Sequence, residues 1–311
     1  MTGVDDPASL AVVHLVVREL GIDYFREFIG SYRAFDAGVD HVLILALKQF
    51  GGEADFSPYQ KELAGIEYEI LHVPDLGHDI GSYVAIASET EFQRYCFINS
   101  KTTLNTDKWL EKLIAEHDKN PDGMVGSTGS WQSLASDALK YRLDTRPVLL
   151  LNIRRVLGYL WRLRKFPGFP NPHLRTNVFV VSRETFRSLD FGRIGSKNDT
   201  WKLESGRNSI SRQIERRGGA LVVVDREGRS YRPESWARSD TFWQDDQQGL
   251  LVSDRQTRIY EQANPDERSA MHAEAWKKPR LPRAKETLLF AASAFLAAVL
   301  VLILIAGNPL R

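Results

Sequence analysis

Residues 67–83 read EYEILHVPDLGHDIGSY. The run Glu67–Val73 is short and apolar at alternate and central positions, and Pro74 ends it, which predicts a β-strand. Spacing over Ile80–Ser88 predicts a helix. Between them, Gly77 and Gly81 permit a tight turn and a close approach of ligand to backbone. A phosphate can meet the amides of the helix N-terminus there, and Asp79 can accept bonds from a ribose or a base. The same residues also fit a plainer reading, an aspartate-capped helix whose glycines serve only the turn.

Working outward, strand-like and helix-like segments alternate. Strands are expected at Leu10–Val17 (LAVVHLVV), His41–Leu47 (HVLILAL), Tyr95–Ile98, Met124–Ser127, Val178–Val181 and Ala220–Val224. Helices are expected at Ile22–Tyr32, Tyr59–Ala64 and Asp107–His117. This alternation predicts an α/β fold with one Rossmann-like, mostly parallel sheet. Such sheets bind ligands at the carboxyl ends of their strands, so chemistry is sought in the loops that follow strands.

Three further segments fit that search. Tyr95–Thr103 (YCFINSKTT) is a strand ending in Asn99, Ser100 and Lys101, and Lys101 can neutralise phosphate. Asn171–Asn177 (NPHLRTN) sets His173, Arg175 and Asn177 before a strand. Thr200–Ser209 carries Glu204, expected near a helix start, and leads to Arg212 on the next helix. Glu204 can serve as a general base if burial raises its pKa. His72, Asp75, His78 and Asp79 cluster in sequence but match no standard zinc spacing.

Hydrophobic residues make up 43% of the chain and charged residues 26%, which suits a globular core and excludes disorder as the main state. The formal net charge of +1 is not that of a dedicated nucleic-acid binder. A single cysteine, Cys96, excludes an internal disulfide framework. Thr287–Leu310 contains no charged side chain, long enough to cross a bilayer core of roughly 30 Å as a helix. Lys277, Lys278, Arg280, Arg283 and Lys285 precede it, so the body is expected on the cytoplasmic side of the membrane. The expected plan is a catalytic body (1–264), a basic juxtamembrane linker (265–286) and a transmembrane helix (287–307). Leu134–Arg164 is basic and helical, and reads either as an interfacial helix or as a solvated surface helix.

Together, in this order, the segments resemble glycosyltransferases with the A-type nucleotide-sugar-binding fold. Asp75–Tyr83 resembles the N-x-G-x-D-I-G-x-Y stretch of rhamnan-synthesis-type enzymes, with Asp75 in place of the usual Asn. Phe97–Ser100 resembles the F-[IL]-N-[SD] stretch that follows, at the position where family 2 enzymes carry an Asp-x-Asp metal motif. The similarity covers about residues 8–225. It implies a nucleotide-sugar donor held by Asp75, His78, Asp79, Ser82, Asn99, Ser100 and Lys101. It implies a base at Glu204 or Asp199, with His173, Arg175, Asn177 and Arg212 toward the acceptor or the diphosphate. It implies Mg²⁺ or Mn²⁺, although Asn99-Ser100-Lys101 replaces the acidic pair and leaves the metal ligands open. The acceptor implied is a glycan or lipid-linked saccharide of the cell envelope. Two alternatives stay open. One is a nucleotidyltransferase, although Arg18-Glu19-Leu20-Gly21 is a glycine-poor first loop for one. The other is a non-catalytic, tail-anchored partner in a glycan-assembly complex.

Overall fold

The computed structural model describes residues 10–137, 157–158, 160–278, 292, 295–296 and 298–299. Strand β1 (Leu10–Val17) is apolar throughout because both of its faces are covered. Ala11, Val13 and Leu15 enter one core layer, and Leu10, Val12 and Val16 enter the other. His14 breaks the run. It is buried, stacked on Phe28 at 3.6 Å, and burial lowers its pKa to about 3, so it is a neutral core ring.

Beside β1 lie β2 (Val42–Lys48) and β3 (Glu69–Val73) on one side, and β4 (Arg94–Ile98) on the other, all parallel. The order of the eight-stranded sheet is β11-β10-β6-β9-β4-β1-β2-β3. Here β6 is Met124–Gly126, β9 is Val178–Ser182, β10 is Leu221–Val224 and β11 is Ser230–Tyr231. The sheet is mostly parallel, as the sequence predicts, with two antiparallel strands: β9 runs antiparallel to both β4 and β6, and β11 antiparallel to β10. Alternating burial on two covered faces looks alike in either direction, so pattern alone does not give strand polarity. Two small ribbons complete the fold, β5 (Thr103–Leu104) with β12 (Val252–Ser253), and β7 (Gly129–Ser130) with β8 (His173–Leu174).

Helices α1 (Asp23–Ala34), α3 (His78–Glu89) and α4 (Trp109–Asp118) form where the spacing placed them. Helix α2 (Glu53–Gln60) begins earlier than expected, because Pro58 within it argues against a helix interior. After the short α5 (Leu134–Asp137) and α6 (Arg183–Arg187) comes α7 (Lys197–Ser205), unexpected from sequence. Its start is a capping box in which Ser196 accepts from the Asp199 amide and Asp199 accepts from the Ser196 amide. Glu204 therefore stands on the last turn of a helix, not near the start of one. Helix α8 spans Ile210–Arg216 and α9 spans Arg255–Gln262.

The expected linker from residue 265 is corrected by α10 (Pro265–Trp276), which folds back onto the body. Ala275 and Trp276 are buried there, and Trp276 donates its indole N–H to the Phe242 carbonyl at 2.7 Å. Among the described residues no helix is long and apolar enough to cross a membrane. The expected transmembrane segment lies almost wholly outside the described residues. So does most of 134–164, of which 160–165 is helical.

Candidate active site

Four parallel strands end at one edge of the sheet, and their following residues line a cavity of 530 Å³. Lys48 closes β2 with its side chain buried. Its ammonium donates to the carbonyls of His78 (3.0 Å) and Leu76 (3.4 Å) and lies 3.7 Å from Asp75. Gln49 donates to Asp75 at 3.0 Å. The end of β2 thus holds the turn before α3 in place. Gly77 is the N-cap residue of α3 at φ +66°, and no side chain caps this helix. The carboxylate of Asp79 is therefore not spent on a cap. It takes no hydrogen bond or ion pair from any described residue, and it is half-buried in the cavity wall. Burial raises its pKa, opposed by the charges of Lys48, His78 and Lys101.

From β4, Asn99, Ser100 and Lys101 reach the same cavity. Asn99 shapes the loop, since its Oδ1 accepts from the Lys101 amide (3.0 Å) and from the Thr102 hydroxyl (2.8 Å). Lys101 Nζ lies 5.3 Å from the centre of the Tyr24 ring. Lys197, at the start of α7, adds a third cation to the lining. Six of the seven donor-side candidates thus meet in one cavity. Ser82 does not join them, because its buried hydroxyl donates back to the His78 carbonyl at 3.2 Å.

Asp79 and Asn99 also line a second cavity, of 450 Å³, so the two meet at that pair. The antiparallel course of β9 explains the second cavity. Its leading residues, 173–177, arrive at the edge where β1, β2 and β4 end. Glu204 faces this space from α7, half-buried, with the Thr176 hydroxyl donating weakly at 3.4 Å. Burial, and then the charge of Asp79, push its pKa up to about 7, against the pull of Thr176, Arg175 and Lys197. A smaller recess lined by Asp79, Lys197, Trp201 and Glu204 joins the two carboxylates.

His173 is buried, and its Nδ1 donates to the Asn171 carbonyl at 2.8 Å, which leaves Nε2 as the acceptor nitrogen. Burial lowers its pKa to about 4, so the ring is neutral near pH ~7. Arg175 pairs with buried Asp254 at 2.8 Å, its guanidinium 4.0 Å from the centre of the Phe242 ring. Asn177 accepts from Thr128 at 2.9 Å, while its Nδ2 is buried without a partner.

Two further candidates, besides Ser82, fall away from both cavities. Arg212 donates through Nε and Nη2 to Asn171 at 3.3 and 3.2 Å and so braces the loop carrying His173. Asp199 is held by Lys202 at 2.6 Å and by the Ser196 hydroxyl at 2.7 Å, and these donors hold its carboxyl well below the usual range. A group so committed is a poor base. Asp199→Ala is expected to remove the N3 half of the capping box and lower the melting temperature slightly while leaving turnover within a factor of about two. Paired melting and activity measurements check this, and a collapse of turnover at unchanged stability would return Asp199 to the base position.

Sequence reasoning missed Lys48, Lys197, Trp201, Phe242 and Trp243. A signal existed for the two residues on α7, since Ser196-Lys197-Asn198-Asp199 is a readable helix start. Lys48 carried one too, as a charged residue closing an apolar strand. The aromatic pair lies in a stretch without periodicity and gave none.

Among the described residues no group of three or more His, Cys, Asp or Glu is gathered as a metal cage. A divalent ion that keeps several waters needs only one or two carboxylates besides substrate phosphates. The unpartnered Asp79 carboxylate fits that requirement.

No protein-family model matches the chain, and no curated protein matches it. Solved structures do resemble it. Glucosyl-3-phosphoglycerate synthase from Mycobacterium tuberculosis, in complex with Mn²⁺, uridine diphosphate and glucosyl-3-phosphoglycerate, is 17% identical with a TM-score of 0.37, over 63% of this chain and 64% of that one. Core-mannan synthase A from Aspergillus fumigatus, in a Mn/GDP form, is 10% identical with a TM-score of 0.38, over 65% of each chain. The galactosyltransferase LgtC, with donor and acceptor sugar analogues, is 11% identical with a TM-score of 0.35, over 58% and 60%. The chain spans less than two thirds of the length of each of these proteins. Similarity at this level assigns no activity, and the functional reading rests on the residues of the cleft.

Proposed function

We propose that this chain is a glycosyltransferase of the A-type fold, moving a sugar from a nucleotide-sugar donor to a hydroxyl of a glycan acceptor. One observation carries the reading. The unpartnered Asp79 carboxylate sits where a lysine-lined cavity meets a second cavity holding a carboxyl near neutrality, Glu204. The first suits a nucleoside diphosphate and the second a hydroxyl nucleophile.

In this mechanism Glu204 takes the proton of the acceptor hydroxyl as its oxygen bonds to the anomeric carbon. The bond from that carbon to the diphosphate oxygen breaks, and the diphosphate leaves with its electron pair. Lys101 and Lys197 stabilise the departing charge, and Lys48 keeps the Leu76–His78 turn in place. Mg²⁺ or Mn²⁺ would be held by Asp79 and would supply further charge neutralisation.

We also propose that residues 287–307 anchor the enzyme on the cytoplasmic side of a bacterial membrane, with a lipid-linked or envelope glycan as acceptor. The charge-free tail and the basic residues before it support this.

A thermal-shift panel of UDP-, GDP-, dTDP- and CDP-sugars, with and without Mn²⁺, tests the donor site on the full chain. One nucleotide is expected to raise the melting temperature, since ligand at about 100 times its Kd adds about 2.7 kcal/mol. If no donor shifts a folded sample, the transferase reading fails and a non-catalytic partner role replaces it.

A further inference from the structure

The large apolar side chains left in solvent are not scattered over the molecule. Among the described residues outside the tail they are Leu76, Leu157, Leu160, Trp161, Leu163 and Ile259, so four fall within one short stretch. Each of those four is between 37% and 49% exposed. The chain is helical at 157–158 and 160–165, and at about 100° per residue the spacing of the four puts them within an arc of about 160°. A surface helix ordinarily turns such a stripe toward the core. This one presents it to solvent, as binding faces do.

The helix is also fixed in that orientation. Arg207 donates from its guanidinium to the Leu163 carbonyl at 3.1 Å and from its amide to the Lys165 carbonyl at 3.0 Å. Phe166 is buried just beyond, with the Trp161 ring edge-on to it at 6.0 Å. Arg207 closely follows Glu204 and Ser205, which line the second cavity, so the clamp ties the stripe to the segment that carries the proposed base.

Charge points to the occupant. Arg164 and Lys165 are exposed on the same helix, and residues 138–165 hold eight Lys and Arg against one Asp in a chain whose net charge is only +1. A second copy seated on the stripe would set these like charges against each other. An anionic phospholipid surface compensates them, takes up the leucines, and suits a tryptophan at its boundary. The stem of Arg164, within the apolar arc, can carry its guanidinium up to the headgroups.

We propose that 157–165 docks on an anionic phospholipid bilayer, with Leu157, Leu160, Trp161 and Leu163 in the headgroup boundary and Arg164 and Lys165 on lipid phosphates. The contact needs neither the tail anchor nor the transferase reading. On the transferase reading, it brings the second cavity to the surface where a lipid-linked acceptor lies.

Tryptophan fluorescence of the full chain tests this. All seven tryptophans lie in the body, none in the tail, and Trp161 is the exposed one. Vesicles of acyl-brominated phosphatidylcholine and phosphatidylglycerol are expected to quench the protein, and Trp161→Phe is expected to remove most of that quenching. Arg164→Gln combined with Lys165→Gln is expected to restore most of the fluorescence, since each cation near an anionic surface contributes about fivefold to docking. These exposed substitutions are expected to leave the melting temperature unchanged, which checks folding. Quenching that persists in Trp161→Phe, no quenching, or equal quenching without phosphatidylglycerol overturns the proposal. So does an unquenched protein whose dimer is broken by Leu160→Gln, which would assign the stripe to a second copy. A donor that shifts melting in a protein that lipid does not quench overturns the docking and leaves the transferase reading standing. Quenching with no donor shift does the reverse.

Discussion

Glu204→Gln is expected to lower kcat by about a hundredfold to ten-thousandfold, the usual contribution of a positioned general base. Shape and hydrogen-bond capacity stay nearly the same, so the melting shift produced by the donor is expected to persist. Wild-type kcat/KM is expected to fall as pH drops below about 7, because burial and Asp79 hold the Glu204 proton up to that value and only the deprotonated form can accept the hydroxyl proton. Stability runs the opposite way. The unfolded chain releases this proton near pH ~4.3, whereas the folded protein keeps it to about 7. The stabilisation is thus complete at acid pH and is lost as pH rises between these values. Glu204→Gln is expected to lose this slope and to melt above wild type at about pH 8. Normal turnover by Glu204→Gln would end the assignment, and an unchanged melting profile would show that the carboxyl is not held neutral.

Gly81→Ala is expected to reverse the usual sign of such a change. Inside a helix, Ala is ordinarily better than Gly by about 1 kcal/mol. At Gly81 an added Cβ would lie 2.3 Å from the carbonyl oxygen of Leu76, backbone that cannot rotate away. The turn 75–77 must then lift from the first turn of α3. Overpacking of this kind costs about 1–3 kcal/mol, and it also breaks the contacts that Lys48 makes to Leu76 and His78. Lower thermal stability and weaker donor binding are expected together. A Gly81→Ala protein that melts at or above wild type would show that the turn is free to move.

The first cavity was legible because it is local. A strand end, two glycines and an aspartate within residues 73–81 specify a turn and a helix start, and in a mostly parallel sheet such ends share one edge. Glu204 was legible as a residue but not in its setting, since α7 announces itself only through the Ser196–Asp199 capping box. Asp199 and Glu204 look equivalent in sequence. What separates them is that one is saturated by Lys202 and Ser196 while the other is buried beside Asp79, facts created by folding. Ser82 and Arg212 show the same limit, since polar side chains near a site often serve the backbone that builds it. The Phe242–Trp243 pair lies in a stretch with left-handed residues at Asp240, Trp243, Asp245 and Gln247 that no periodicity reveals.

The antiparallel strand β9 has a consequence for how the molecule is made. Among the described residues, the block β3-β2-β1-β4 and the block β6-β10-β11 share no strand pairing except through Val178–Ser182. Until those five residues are synthesised and inserted, the inner edge of β4 is an open ladder of apolar backbone, a template for wrong pairing. The nascent chain must therefore carry this edge through roughly eighty residues of translation, at about 5–20 residues per second, for some seconds. Substitutions that weaken β9 would show first as aggregation during synthesis rather than as loss of catalysis in protein that has already folded.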